Sequence, residues 1–75
     1  MMAATAITVD ARGMRCPWPV LRLARAMRSA HTVLLLSDDP RAEVEAAALA
    51  AANGWTLAVE RDGPNWRIRA TAADT

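Results

Sequence analysis

Ile7-Thr8-Val9-Asp10 alternates apolar and polar residues, the period of a short half-buried strand. From Pro17 to about Arg28 the period lengthens: Val20, Leu23, Ala24 and Met27 recur at i, i+3, i+4 and i+7, one face of a helix that Leu21 widens. Arg22, Arg25 and Arg28 fall on the other side, and Arg28 complements the dipole at the helix C-terminus. Beyond Ser29-Ala30-His31, the run Thr32-Val33-Leu34-Leu35-Leu36-Ser37 reads as a strand covered on both sides or central in a sheet. Asp38-Asp39-Pro40 opens a second helix, with Asp39 as N-cap and Pro40 in the first position. It is predicted from about Pro40 to Ala52, with Val44, Ala47, Ala48 and Ala51 inward, and Asn53-Gly54 ends it. Its many alanines favour helix and a close approach to a sheet.

Strict alternation returns at the C-terminal end. Trp55, Leu57 and Val59 share one face of a strand, and Trp66, Ile68 and Ala70 share one face of the next. Arg61-Asp62-Gly63-Pro64-Asn65 links the two as an antiparallel hairpin. Because Thr56, Glu60, Arg67 and Arg69 point the other way, one sheet face is expected to meet solvent and both helices to pack on the opposite one. The predicted architecture is an α/β (α+β) two-layer sandwich of order β-α-β-α-β-β. It has a four-stranded mixed sheet with two helices on one face, as one domain over residues 1–75. The first two strands should be parallel through a right-handed crossover. Ala72 to Thr75 should fray, and Trp55 and Trp66 should be core.

Candidate chemistry concentrates at Gly13-Met14-Arg15-Cys16-Pro17-Trp18-Pro19, which sets the single cysteine before a Pro-x-Pro pair and the first helix. Proline is tolerated in a first helical turn, where N–H groups lack intrahelical partners, so Cys16 is expected at the N-cap and Pro17 at the first helical position. A thiol there lies at the positive end of the helix dipole, where an anionic sulfur is favoured. Arg12 and Arg15 would add to this if they folded back over it. The bland alternative is a small buried hydrophobe, the usual state of a lone cysteine. Gly13 is expected to supply the backbone turn between strand and helix. His31, the only histidine, lies some 15 residues on, roughly 20 Å at about 1.5 Å per residue, too far to act as a base for Cys16. No His/Cys cluster suggests a metal site.

Composition narrows the classes. The chain has 75 residues and a formal net charge of +1, so nothing in its charge calls for nucleic acid or an anionic membrane. All nine basic residues are arginine, for which we have no functional account. One cysteine rules out an internal disulfide framework, and no apolar run reaches the roughly 20 residues of a membrane span. Met1 to Ala6 lacks the features of a signal peptide, so a cytoplasmic setting is expected.

Asp10-Ala11-Arg12-Gly13-Met14-Arg15-Cys16-Pro17-Trp18-Pro19-Val20-Leu21, with Ser37-Asp38-Asp39-Pro40 downstream, resembles the TusA-like (SirA/TusA) sulfur-carrier family over nearly the whole chain. The family commonly has a glycine and an acidic residue before the second strand, where this chain has Ser29-Ala30-His31. The resemblance implies the same two-layer fold and gives Cys16 the role of carrying sulfur as a persulfide. It implies a relay rather than a stand-alone enzyme, with no cofactor. Its partners would be a sulfur donor protein (a cysteine desulfurase or other sulfurtransferase) and an acceptor protein or pathway such as tRNA thiolation, molybdenum cofactor maturation or sulfur oxidation. No direct nucleic acid or membrane partner is expected. Trp18 either packs on the sheet or stands out as an aromatic anchor for a partner. The Arg22/Arg25 row is either a solvated face or a docking surface for an acidic one. Two other readings stay open: a non-catalytic RNA- or protein-binding regulatory module, and a thiol redox sensor.

Overall fold

The computed structural model describes residues 6–73. Its elements follow the order β1 (Ala6–Asp10), α1 (Trp18–Ala26), β2 (Thr32–Ser37), α2 (Arg41–Asn53), β3 (Thr56–Asp62) and β4 (Asn65–Thr71). They form one mixed sheet in the order β1-β2-β4-β3, with β1 parallel to β2 and the other neighbours antiparallel. The last strand therefore sits inside the sheet, between β2 and β3. Gly63 and Pro64 form the two-residue hairpin turn. Gly63 has φ +62°, suited to the first central position of the turns that match strand twist.

Register explains the core. Ile7, Val33, Ala70 and Leu57 line up across the four strands, and Val9, Leu35, Ile68 and Val59 form the next such row. Both rows face the helices. Val33, Leu35, Ile68 and Ala70 in the middle are completely buried, while Leu57 and Val59 on the β3 edge are half-buried. The helices close over these rows through Val20 and Leu23 of α1 and Ala42 and Ala46 of α2. The opposite face is open, as its exposed Thr56, Glu60, Arg67 and Arg69 predict. β2 is central rather than covered on both sides: Leu34 and Leu36 are half-buried on the open face, beside Arg69 and Arg67 of β4. Such long side chains shield apolar surface with their methylene stems.

Several local expectations are corrected. α1 starts at Trp18 with Pro17 as N-cap, so Cys16 lies one residue outside the cap. The reason is the donor supply around the prolines. Trp18 N–H bonds Arg15 O three residues back, and the first i to i−4 bond is Leu21 N–H to Pro17 O. At its far end α1 stops at Ala26, and Arg28 lies in the following turns. The inward face of α2 is Ala42, Ala46 and Ala50, not Val44, Ala47, Ala48 and Ala51, all of which are exposed. In so alanine-rich a helix the hydrophobic pattern hardly defines a phase; the anchoring of its first turn does. Gly54 ends it at φ +74°.

Trp55 and Trp66 pack against the core but remain partly exposed, and Arg61 stacks over the Trp66 ring at 4.4 Å. Ala72 is not frayed: its N–H bonds His31 O at 2.8 Å. The remainder of the expected fraying, at Asp74 and Thr75, and the expectations for Met1 to Thr5 lie outside the described residues.

Candidate functional site

The loop from β1 to α1 carries Cys16, and four hydrogen bonds define its course. Ala11 N–H continues the parallel ladder to Leu36 O at 2.8 Å, and Met14 N–H turns back to Ala11 O at 3.1 Å. Gly13 sits between them at φ +86°, the left-handed conformation by which it makes the turn expected of it. Gly13 N–H donates to Asp38 Oδ1 at 3.0 Å and Cys16 N–H to Asp39 Oδ2 at 2.7 Å. The Cys16–Pro17 peptide is cis.

Asp39 does two jobs. Its Oδ1 accepts Arg41 N–H at 3.0 Å, the bond an N-cap side chain makes with the second helical residue, and its backbone carbonyl accepts Ala42 N–H. The expected capping role is thus present in the hydrogen bonds, although Pro40 stands at the geometric helix boundary. The second carboxylate oxygen holds the cysteine loop. Asp39 N–H in turn donates to the fully buried Ser37 Oγ. These bonds hold the Asp39 carboxyl below its ordinary value, Arg41 N–H first and Cys16 N–H second, with the nearby Arg15 and Arg41 charges adding to them.

Asp38 holds the loop at Gly13, and Asp39 holds it at Cys16. The sequence reading assigned Asp39 to capping alone. The missed signal is valence: a carboxylate has two oxygens, and a cap uses one. Arg12 does not fold over Cys16. It pairs with Asp10 through Nε and Nη2 at 2.9 and 2.8 Å, drawing the Asp10 carboxyl down to about 2. Arg15 lies with Gly13, Asp38 and Asp39 around a small polar cavity beside the loop.

Cys16 is partly exposed, which sets it apart from a fully buried core cysteine. Two residues further on, Trp18 stands 61% exposed, so it does not pack into the sheet. Met14, Trp18, Leu21, Arg22 and Arg25 line an open groove there. His31 is exposed at the start of β2, whereas the cysteine loop follows the end of β1, so the parallel pairing puts them at opposite ends of the sheet. Among the described residues, no three His, Cys, Asp or Glu side chains are grouped as metal ligands would be, and no helix is long and apolar enough to cross a membrane.

Fold and site together define a small α/β domain that presents one loop-held thiol at the C-terminal end of its parallel strands, where such sheets commonly place their chemistry. The chain belongs to the TusA family: the family model described as sulfurtransferase TusA matches residues 7–71. A solved SirA-like protein from Desulfitobacterium hafniense is similar over 91% of this chain and 99% of its own, at 26% identity and a TM-score of 0.80. Membership gives the chain a sulfur-carrier role in general terms and partner proteins in a sulfur relay.

Proposed function

We propose that this chain is a single-domain persulfide carrier in the cytoplasm, with Cys16 as the sulfur-bearing residue. The observation that most supports this is the Cys16 N–H to Asp39 hydrogen bond: the backbone of the only thiol is held by the carboxylate that caps α2, while the residue stays partly exposed. A relay requires that combination. The acceptor thiol must be reachable by one protein and then by another, and its loop must not wander between the two encounters.

In the loading step the Cys16 thiolate attacks the terminal sulfur of a donor protein's persulfide. A Cys16–sulfur bond forms, the donor's sulfur–sulfur bond breaks, and the donor leaves as a thiolate. Delivery repeats the exchange in the opposite sense, with Cys16 as the leaving thiolate. The single cysteine suits a carrier, because no neighbouring thiol in the chain can attack the persulfide and expel its sulfur. A paired-cysteine oxidoreductase would do that. The donor is a cysteine desulfurase or another sulfurtransferase, and the acceptor is a protein of a thiolation or cofactor pathway.

The test is intact-protein mass spectrometry after incubation with a cysteine desulfurase and cysteine, or with a second persulfide donor. The wild type should gain the mass of one sulfur atom, reversibly with reductant, and Cys16→Ser should gain none. No gain on folded wild type with a free thiol, with either donor, would overturn the reading in favour of a non-catalytic binding module.

A further inference from the structure

Two cavities adjoin the loop that carries Cys16, and they differ in character. Towards α2 lie the polar groups of Asp38, Asp39 and Arg15. Towards α1 lies a groove of about 470 Å³ lined by Met14, Trp18, Leu21, Arg22 and Arg25. Its helical members stand at i, i+3, i+4 and i+7 from Trp18, so they form one stripe about 10 Å long that begins two residues beyond the thiol. Trp18 and Leu21 are 61% and 51% exposed, an aromatic and an aliphatic group left in water on a helix whose other face already supplies the core.

Charge indicates what covers them. From Ala11 to Ser37 the chain has five arginines and no aspartate or glutamate. Arg12 is taken up by Asp10 and Arg15 lies beside Asp39, whereas Arg22, Arg25 and Arg28 have no ion-pair partner among the described residues. An aromatic anchor rimmed by arginines is the composition of an interface core that meets an acidic surface. The aliphatic Met14 and Leu21 beside a single ring favour an apolar side chain over a series of stacked bases.

We propose that the Met14/Trp18/Leu21 groove, with Arg22 and Arg25 on its rim, is the docking face for a protein segment that presents an apolar side chain flanked by carboxylates next to its own sulfur-bearing cysteine. The proposal rests on the carrier reading for its biological sense. Its physical content concerns only which thiols approach Cys16 fastest.

The single cysteine makes this measurable directly. Cys16 is converted to its mixed disulfide with 2-thiopyridine and challenged with short peptides containing Leu-Cys flanked by glutamates, by lysines or by serines. The peptide thiolate attacks the Cys16 sulfur, a protein–peptide disulfide forms, and 2-thiopyridone leaves and is read by absorbance. Dividing each rate by that of the same peptide on a small thiopyridyl disulfide removes differences between the thiols themselves.

The normalised rate should be about tenfold higher for the glutamate peptide than for the lysine peptide at low salt, and the preference should collapse at high ionic strength. In the Arg22→Glu/Arg25→Glu variant the preference should vanish or invert. In Trp18→Ala/Leu21→Ala the glutamate peptide should slow severalfold while its salt dependence persists. All four side chains are exposed, so both variants should fold, which unfolding curves check. Equal normalised rates, or a preference that survives the arginine reversal, would overturn the proposal. So would sedimentation showing a dimer of the wild type that Trp18→Ala/Leu21→Ala dissociates. Disulfide exchange reads the surroundings of Cys16 whether or not a persulfide forms, so failure of the carrier reading and failure of this one give different results.

Discussion

Asp39 is the residue on which the site depends. Its two carboxylate oxygens join the start of α2 to the amide of Cys16, and its own N–H is held by Ser37 Oγ. Replacing it with alanine removes a helix cap and the Cys16 anchor together. We expect Asp39→Ala to lower Tm by roughly 5–10 °C, the effect of losing a capping side chain in a domain of this size. Its more specific consequence lies in the loop: protection of the Cys16 amide from hydrogen exchange should drop sharply, whereas Asp38→Ala should expose the Gly13 amide and leave that of Cys16 protected. Unchanged protection of the Cys16 amide in Asp39→Ala would mean that the hydrogen bond does not hold the loop. The turn at Gly13 and the cap at Asp39 were legible because each follows from a local rule about turns or helix starts, whereas Cys16 was expected at the N-cap and stands one residue before it. The bond between Asp39 and Cys16 spans 23 positions, and no local rule encodes it.

At the scale of elements, α1 and α2 contact the sheet differently. α1 inserts Val20 and Leu23, large side chains with a defined face, and that face was legible from their spacing, except that Leu21, expected to widen it, is turned outward and exposed. α2 presents Ala42, Ala46 and Ala50, and its only larger aliphatic residues, Val44 and Leu49, lie about 140° apart around the helix and cannot share a face. Placing Val44 inward is the natural reading of its bulk, yet the helix turns it outward to 68% exposure because Asp39 sets the phase of the first turn and alanine lets the backbone come close. The energetic consequence can be tested by thermal unfolding. Ala46→Leu pushes three extra carbons into a filled interface and should cost about 1–3 kcal/mol, lowering Tm by about 4–8 °C per kcal/mol. Val44→Ala should change stability by less than about 0.5 kcal/mol. If Val44→Ala proved the costlier change, the helix would be rotated from the orientation described.

The whole molecule buries two apolar rows under two helices, and its period changes from 2 to 3.6 and back were enough to read that architecture. The sheet order was not readable in the same way. β3 and β4 have the same alternation, so nothing local says which of them pairs with β2; only the complete burial of Ile68 and Ala70, against the half-burial of Leu57 and Val59, marks β4 as the inner strand. So small a core leaves stability sensitive to the few carboxylates that tie its ends together. Asp39 and Asp10 are both held below the ordinary carboxylate value in the fold, Asp10 at about 2. For groups depressed in this way the stabilisation is fully present above the unfolded value near 4 and is lost as pH falls through the folded value, because the unfolded chain then binds more protons. Stability should therefore be flat from neutral pH to about 5 and fall as pH drops below about 4. Asp10 and Arg12 are about half exposed, so solvent screens their pair and Asp10→Asn should leave the acid limb nearly unchanged. Asp39 is only 7% exposed, and Asp39→Asn should be less stable at pH 7 and lose less on acidification, so that the two curves draw together as pH falls below the ordinary carboxylate value. Tryptophan fluorescence during urea unfolding across pH 2–7 measures both slopes; parallel curves for wild type and Asp39→Asn would show that this carboxylate is not the acid-sensitive link.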